Sequence, residues 1–237
     1  MAIAEVGSGT QRATSAEFSG ADSGTLAFPA NVVSGNLLIV AGAAWQATSA
    51  PTSIAVTDTR STSYTVLSTT LAAGGGGAVR YWIAYGLAPS SGACTVTVNP
   101  AGALADFTFS IDEFSGVSTT PLDVDGGSTA GLGTDITPSD DLTTLTANDL
   151  VIGLMTDNDA TVTITPGASY TQIGEVENNV TTQCHSAVFR LVTTAQAYTV
   201  DWSCDIPNAN TWGVYTAAFK AAVAVTPRSL ALLGVGA

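Results

Sequence analysis

Residues able to do chemistry are few in this chain, so each can be weighed singly. The one histidine, His185, stands next to Cys184. A Ser-His-Asp or Cys-His nucleophile needs a histidine as its base, so any such mechanism has to run through His185. The two residues lie near the start of a strand-like run, where neighbours point to opposite faces. They therefore do not face one another, and no GxSxG elbow accompanies them. The expected role of His185 is a hydrogen-bonded surface residue.

Paired carboxylates are the other route to catalysis, since glycosidases set two acids across a groove. Asp112 and Glu113 are adjacent on a strand-like run and project to opposite faces. One of them would need a partner on another strand, such as Asp201. The matching positions later in the chain are Ala217 and Ala218, so the two acids are read as solvent-facing, and no catalytic residue is assigned. Asp123-Val124-Asp125-Gly126-Gly127 offers alternate carboxylates and a turn glycine, the makings of a calcium site at Asp123 and Asp125. Asp140-Asp141 and Asp157-Asn158-Asp159 carry similar acids, and turn chemistry accounts for all of these without a metal. Calcium is the single cofactor the sequence leaves open.

Aromatic rings stack on the apolar faces of sugars. Trp45, at the end of an apolar run beside a Ser/Thr/Pro loop, is the candidate for glycan binding, whereas Trp82, Trp202 and Trp212 are expected in the core. Asn179-Val180-Thr181 matches a glycosylation acceptor. The cysteines are Cys94, Cys184 and Cys204. A hairpin turning near Thr194 would bring Cys184 opposite Cys204 for a disulfide; buried thiols are the alternative. Gly74-Gly75-Gly76-Gly77 reads as a loop tip, because a phosphate cradle needs a helix after it.

Those residues must be held by strands. Alternation of period two runs through Val79–Tyr85, Phe107–Ile111 and Tyr198–Trp202, each bounded by turn residues. Leu37–Ala41 and Leu150–Leu154 are continuously apolar, as central strands buried on both faces are. Thr216–Val223 is read as a strand running into the tail. The Pro/Gly/Thr-rich join, residues 118–148, has room for one or two edge strands, with residues 7–35 as its counterpart.

The order of segments is kept twice over. Asn36–Ala41 is echoed by Asp149–Leu154, Ser63-Tyr64-Thr65 by Ser169-Tyr170-Thr171, Ala78-Val79 by Ala187-Val188, and Phe107–Gly116 by Trp212–Ala221. The offsets are 113, 106, 109 and 105 residues, so only loop lengths drift. Two repeats, about 5–117 and 122–222, are thus expected to form one antiparallel, jelly-roll-like β-sandwich over 1–222, a double sheet of roughly ten strands. Two immunoglobulin-like domains are the alternative. Residues 223–237 form an apolar tail whose Leu230, Leu232, Leu233 and Val235 suit docking to a partner.

Composition narrows the partners. With 46% hydrophobic and 11% charged residues the 237-residue chain has ample core and little resemblance to a disordered one. A formal net charge of -13 repels phosphate backbones and anionic lipid, so neither nucleic acid nor a membrane is expected as partner. The apolar runs are strand-sized rather than membrane-spanning. The N-terminus, MAIAEVGSGTQRATS, has neither basic nor long apolar region of a secretory leader. A chain made in the cytoplasm without one can still leave the cell inside a particle released by lysis.

Ser34-Gly35-Asn36-Leu37-Leu38-Ile39-Val40, Ser63-Tyr64-Thr65, the aromatic strand Arg80–Tyr85, Phe109–Val117 and the closing Ala217-Ala218-Phe219-Lys220 together resemble a group of duplicated β-sandwich proteins. These occur in tailed-phage virions and on bacterial surfaces. The resemblance covers most of residues 5–222 and rests on core pattern and turn residues. It implies a non-enzymatic virion protein: capsid decoration, head fibre or tail component. Such a protein would work as a homo-oligomer, a trimer among the options, in contact with other virion proteins. The alternative is a carbohydrate-binding module or jelly-roll glycosidase on a phage or bacterial surface.

Overall fold

A strand covered on both sides needs apolar side chains on both faces, and the two continuous apolar runs become the centres of two large sheets. In the computed structural model the described residues are 2–72, 77–102, 104–133, 137–157, 163–177, 184–205 and 210–223. The first half of the chain opens with β1 (Ala4–Glu5), β2 (Ala13–Thr14), β3 (Phe18–Ala21) and β4 (Gly24–Ala27). It continues with β5 (Leu37–Gln46), β6 (Ser53–Asp58), β7 (Thr65–Ala72), β8 (Ala78–Leu87), β9 (Thr95–Ala101) and β10 (Ala105–Ser115). The second half carries β11 (Val117–Gly133), β12 (Ser139–Thr143), β13 (Leu150–Asp157) and β14 (Thr163–Pro166). It ends with β15 (Thr171–Val176), β16 (Cys184–Leu191), β17 (Ala197–Asp205) and β18 (Asn210–Ala221). All pairings are antiparallel, and the protein is an all-β sandwich. No described helix is long and apolar enough to cross a membrane.

One large sheet runs β1-β10-β5-β8-β7, with β2 and β3 also on β10; the other runs β11-β18-β13-β16-β15. Two small sheets, β4-β9-β6 and β12-β17-β14, complete the set. The large sheets face each other across a central core that includes Leu37, Ile39, Phe114, Leu150, Ile152 and Phe219. Each small sheet packs on the outer face of its own large sheet, one around Trp82 and Phe109, the other around Trp202 and Val214. The result is four layers rather than the expected double sheet of about ten strands. The reason lies in β5 and β13, nearly every residue of which is buried. Two apolar faces on one sheet call for a layer on each side.

The two halves share strand order, and at three of four segments they share register. Ile39 lies opposite Asp112 and Ile152 opposite Ala217, as offsets of 113 and 105 require. Thr65 pairs with Tyr85 and Thr171 with Phe189. The fourth match slips. Ala78 lies opposite Gln46, but Ala187 lies opposite Leu154, so the residue corresponding to Ala187 is Ile83, which pairs with Ala41. An Ala-Val dipeptide fits any strand too well to set a register.

The join between the halves holds two strands, β11 and β12, and residues 216–221 belong to β18 as the alternation implies. The tryptophans Trp82, Trp202 and Trp212 are buried. Trp82 and Trp202 each lie against a glycine of a central strand, Gly42 and Gly153, where a Cβ would strike the indole. Ring and glycine are thus matched across layers.

Candidate functional site

The chemically capable side chains concentrate where the two large sheets meet. Along β10, Phe107, Phe109 and Ile111 face the outer core, so Thr108, Ser110 and Asp112 face the other half. His185, on β16, reaches across to them. Thr108 Oγ1 is 2.6 Å from its Nδ1 and Ser110 Oγ is 2.8 Å from its Nε2. The ring is completely buried, and burial lowers its pKa to about 3. It is therefore neutral, with one nitrogen donating and the other accepting. The expected surface histidine is instead an interlayer tie. Its neighbour Cys184 does point the opposite way, into the outer core.

The position matching His185 in the first half is Tyr81, since Ala43 pairs with Tyr81 and Thr156 with His185. Tyr81 crosses the same interface the other way, edge-on to Tyr215 at 6.1 Å and against Gly213. One crossing is aromatic and the other polar. Two further ring pairs correspond similarly, Tyr85–Phe219 at 5.0 Å and Phe114–Phe189 at 5.1 Å.

Beside His185 lies an ionic cluster that sequence reading missed. Arg12 donates to Glu5 and to the backbone oxygen of Gln172 on β15, and its Nε is 3.6 Å from Asp112 Oδ2. Its guanidinium also covers the Phe189 ring at 5.4 Å. A residue of the N-terminal segment thereby joins both halves. Burial pushes Asp112 up to about 8, opposed by the Glu113 N–H that its Oδ1 accepts. On β15, burial and the adjacent Glu177 raise Glu175 to about 8. The available signal was compositional: Arg12 is one of only 6 basic residues in an acidic chain.

Asp112 and Glu113 project to opposite faces, as adjacency requires, but both are wholly buried rather than solvent-facing. Glu113 accepts from Val33 N at 2.8 Å, Asn36 Nδ2 at 2.7 Å and Gln11 Nε2 at 2.9 Å. It organises the loops ahead of β5. Asp201 lies exposed on β17, in a small sheet, and is not brought to Asp112. Ser110 and His185 have the contact distance of a nucleophile and its base. The other ring nitrogen meets a hydroxyl instead of a carboxylate, and neither residue has solvent access.

Asp123 and Asp125 do not converge. Asp123 accepts from the backbone of Leu145 at 2.7 Å and of Thr146 at 3.2 Å. Asp125 accepts from Tyr215 Oη at 2.9 Å and Gly127 N at 3.2 Å. Irregular pairing along β11 between Leu122 and Gly127 separates them. Among the described residues no cluster of three or more metal-ligating His, Cys, Asp or Glu occurs. Asp123 instead meets Asp149, at the position that Asn36 holds in the first half. Thr146 Oγ1 lies 2.7 Å from Asp149 Oδ1 and 3.3 Å from Asp123 Oδ1. Burial, then Asp123, push Asp149 up to about 6. Asp140 and Asp141 accept threonine hydroxyls, from Thr129, Thr216 and Thr199.

Trp45 is half-buried and leans on the central core, so only part of the ring is open to a ligand. Cys184 and Cys204 are buried thiols, not a disulfide, as is Cys94. The expected hairpin does not form, because β16 lies in a large sheet and β17 in a small one. The docking candidates Leu230, Leu232, Leu233 and Val235 lie outside the described residues, as do Asn158-Asp159, the Asn179 acceptor and most of the Gly74–Gly77 run. A groove of about 460 Å³ opens where the chain reaches Val223, lined by Ala2, Thr146, Asn148 and Lys220. Comparison with family models, curated proteins and solved structures finds no match for this chain.

Proposed function

We propose that this protein is a non-enzymatic structural component of an assembled particle, a tailed-phage virion being the assembly its core pattern resembles. Capsid decoration, head fibre and tail component are the roles in view. One observation carries the reading: His185, Asp112 and Glu113, the side chains best placed by type to act as catalysts, are wholly buried and engaged in holding the structure together. His185 joins the two halves, Asp112 sits beside the Arg12 that reaches Gln172 in the other half, and Glu113 fastens three donors from loops. A site that must meet a substrate is poorly served by buried ties. The surface supports contact by strand edges, since β7 lies at the end of its sheet among the described residues. The net charge of -13 holds copies apart until complementary surfaces meet.

Cryo-electron microscopy of native particles, with mass measurement of the purified chain, tests this. A regular, particle-bound oligomer supports it. A monomer that binds glycan and loses that affinity on Trp45→Ala would replace it with the carbohydrate-binding alternative.

A further inference from the structure

The pair Asp123 and Asp149 has more acceptors than donors. Four carboxylate oxygens meet there, and the donors among the described residues are two backbone N–H groups, both on Asp123 Oδ2, and one hydroxyl. That hydroxyl, on Thr146, carries one proton and lies between Asp149 Oδ1 and Asp123 Oδ1. Only one of those oxygens receives it at a time. Asp149 is 1% exposed, and its Oδ2 has no hydrogen-bond partner. A buried carboxylate oxygen left bare is costly. The first half has no such deficit, because Asn36 stands where Asp149 does and donates its amide to Glu113 at 2.7 Å.

We propose that Asp123, Asp149 and Thr146 form a binding site for one divalent hard cation, calcium being the ion that oxygen ligands of this kind suit. Two carboxylates and a hydroxyl supply oxygen ligands, and water completes the six to eight that calcium takes. Thr146 lines the groove already described, and Asp149 lines a smaller opening beside it with Ala2 and Asn148, which gives that water its approach. Lys220, on the same groove, balances part of the charge on Asp149 without donating a hydrogen bond to it in the described contacts. The site goes beyond the structural role proposed above and stands or falls apart from it.

Calorimetric titration of the chelator-treated full chain with calcium chloride at about pH 8, where Asp149 is ionised, is the test. The expected result is one ion per chain, with a dissociation constant on the order of 10⁻⁴–10⁻³ M. Asp149→Asn and Asp123→Asn each weaken it at least about tenfold, while Asp125→Asn leaves it unchanged. Circular dichroism identifies whichever of the first two variants keeps its fold, and that one decides. No saturable heat from the wild type, or wild-type affinity in a folded Asp149→Asn or Asp123→Asn, overturns the proposal; a bare proton shared by the two acids then fills the deficit.

Discussion

His185 makes the stability of this protein respond to acid in a direction that can be worked out in advance. In the folded chain the ring is neutral and bonded to two hydroxyls, with its pKa lowered to about 3 by burial. In the unfolded chain it titrates near its ordinary value of about 6.5. Between those values the unfolded state binds the extra proton, so folding is penalised as pH falls. The contribution is intact above about pH 6.5 and declines by about 1.4 kcal/mol per pH unit below it. From about pH 7 to about pH 4.5 the loss is roughly 2.5 kcal/mol. The buried acids change stability with the opposite sign over the same range, so wild-type stability alone does not isolate this term. The comparison is with His185→Gln, whose amide can donate and accept but does not titrate. Urea unfolding at both pH values gives the difference in stability between the proteins. At neutral pH the variant is less stable by about 1–2 kcal/mol, from imperfect packing. At the acid pH the gap closes or reverses, by about 2.5 kcal/mol in total. A gap that stays constant within about 0.5 kcal/mol would show that the ring is not held neutral, and the reasoning would fail.

Asp112 should behave oppositely. Its pKa is raised to about 8 by burial, so its contribution is fully present below about pH 4 and is lost as pH rises through 8. Asp112→Asn should therefore flatten the fall in stability between about pH 6 and 9, read by thermal unfolding across that range; an unchanged slope refutes the assignment. At Gly174 on β15 a Cβ would collide with the hydroxyls of Thr14 and Ser110 in the other half. Gly174→Ala is expected to destabilise by about 1–3 kcal/mol in urea, and a neutral result would mean that the halves are less closely fitted there. The three buried thiols should resist an aromatic disulfide reagent in the native protein and all react once it is unfolded. Fewer than three reactive thiols in denaturant without reductant would reveal a disulfide after all.

Periodicity and apolar runs, both local, carried the fold class. Leu37–Ala41 and Leu150–Leu154 announced strands buried on both sides, whereas the register in which each meets its neighbour came only from the structure. Strands buried on both faces already require more than two sheets, because each face needs its own covering layer. Alternation also put Asp112 and Glu113 on opposite faces, and Cys184 and His185 likewise. It could not tell which faces are covered, because covering is done by elements far away in the chain. Hence two acids and a histidine expected at the surface are buried, and a hairpin expected between β16 and β17 is a passage between layers. The carboxylate pair follows the same division. Asp149 in place of Asn36 was visible as a departure between the halves, but its meeting with Asp123 depends on where β11 runs along β18. By itself the sequence determined the strands, the burial of the two central ones on both faces and the acidic composition, all set by residues a few positions apart. Only the tertiary structure decided which sheets face each other, and therefore which charges lie in the dark, since burial is a property of the assembled layers.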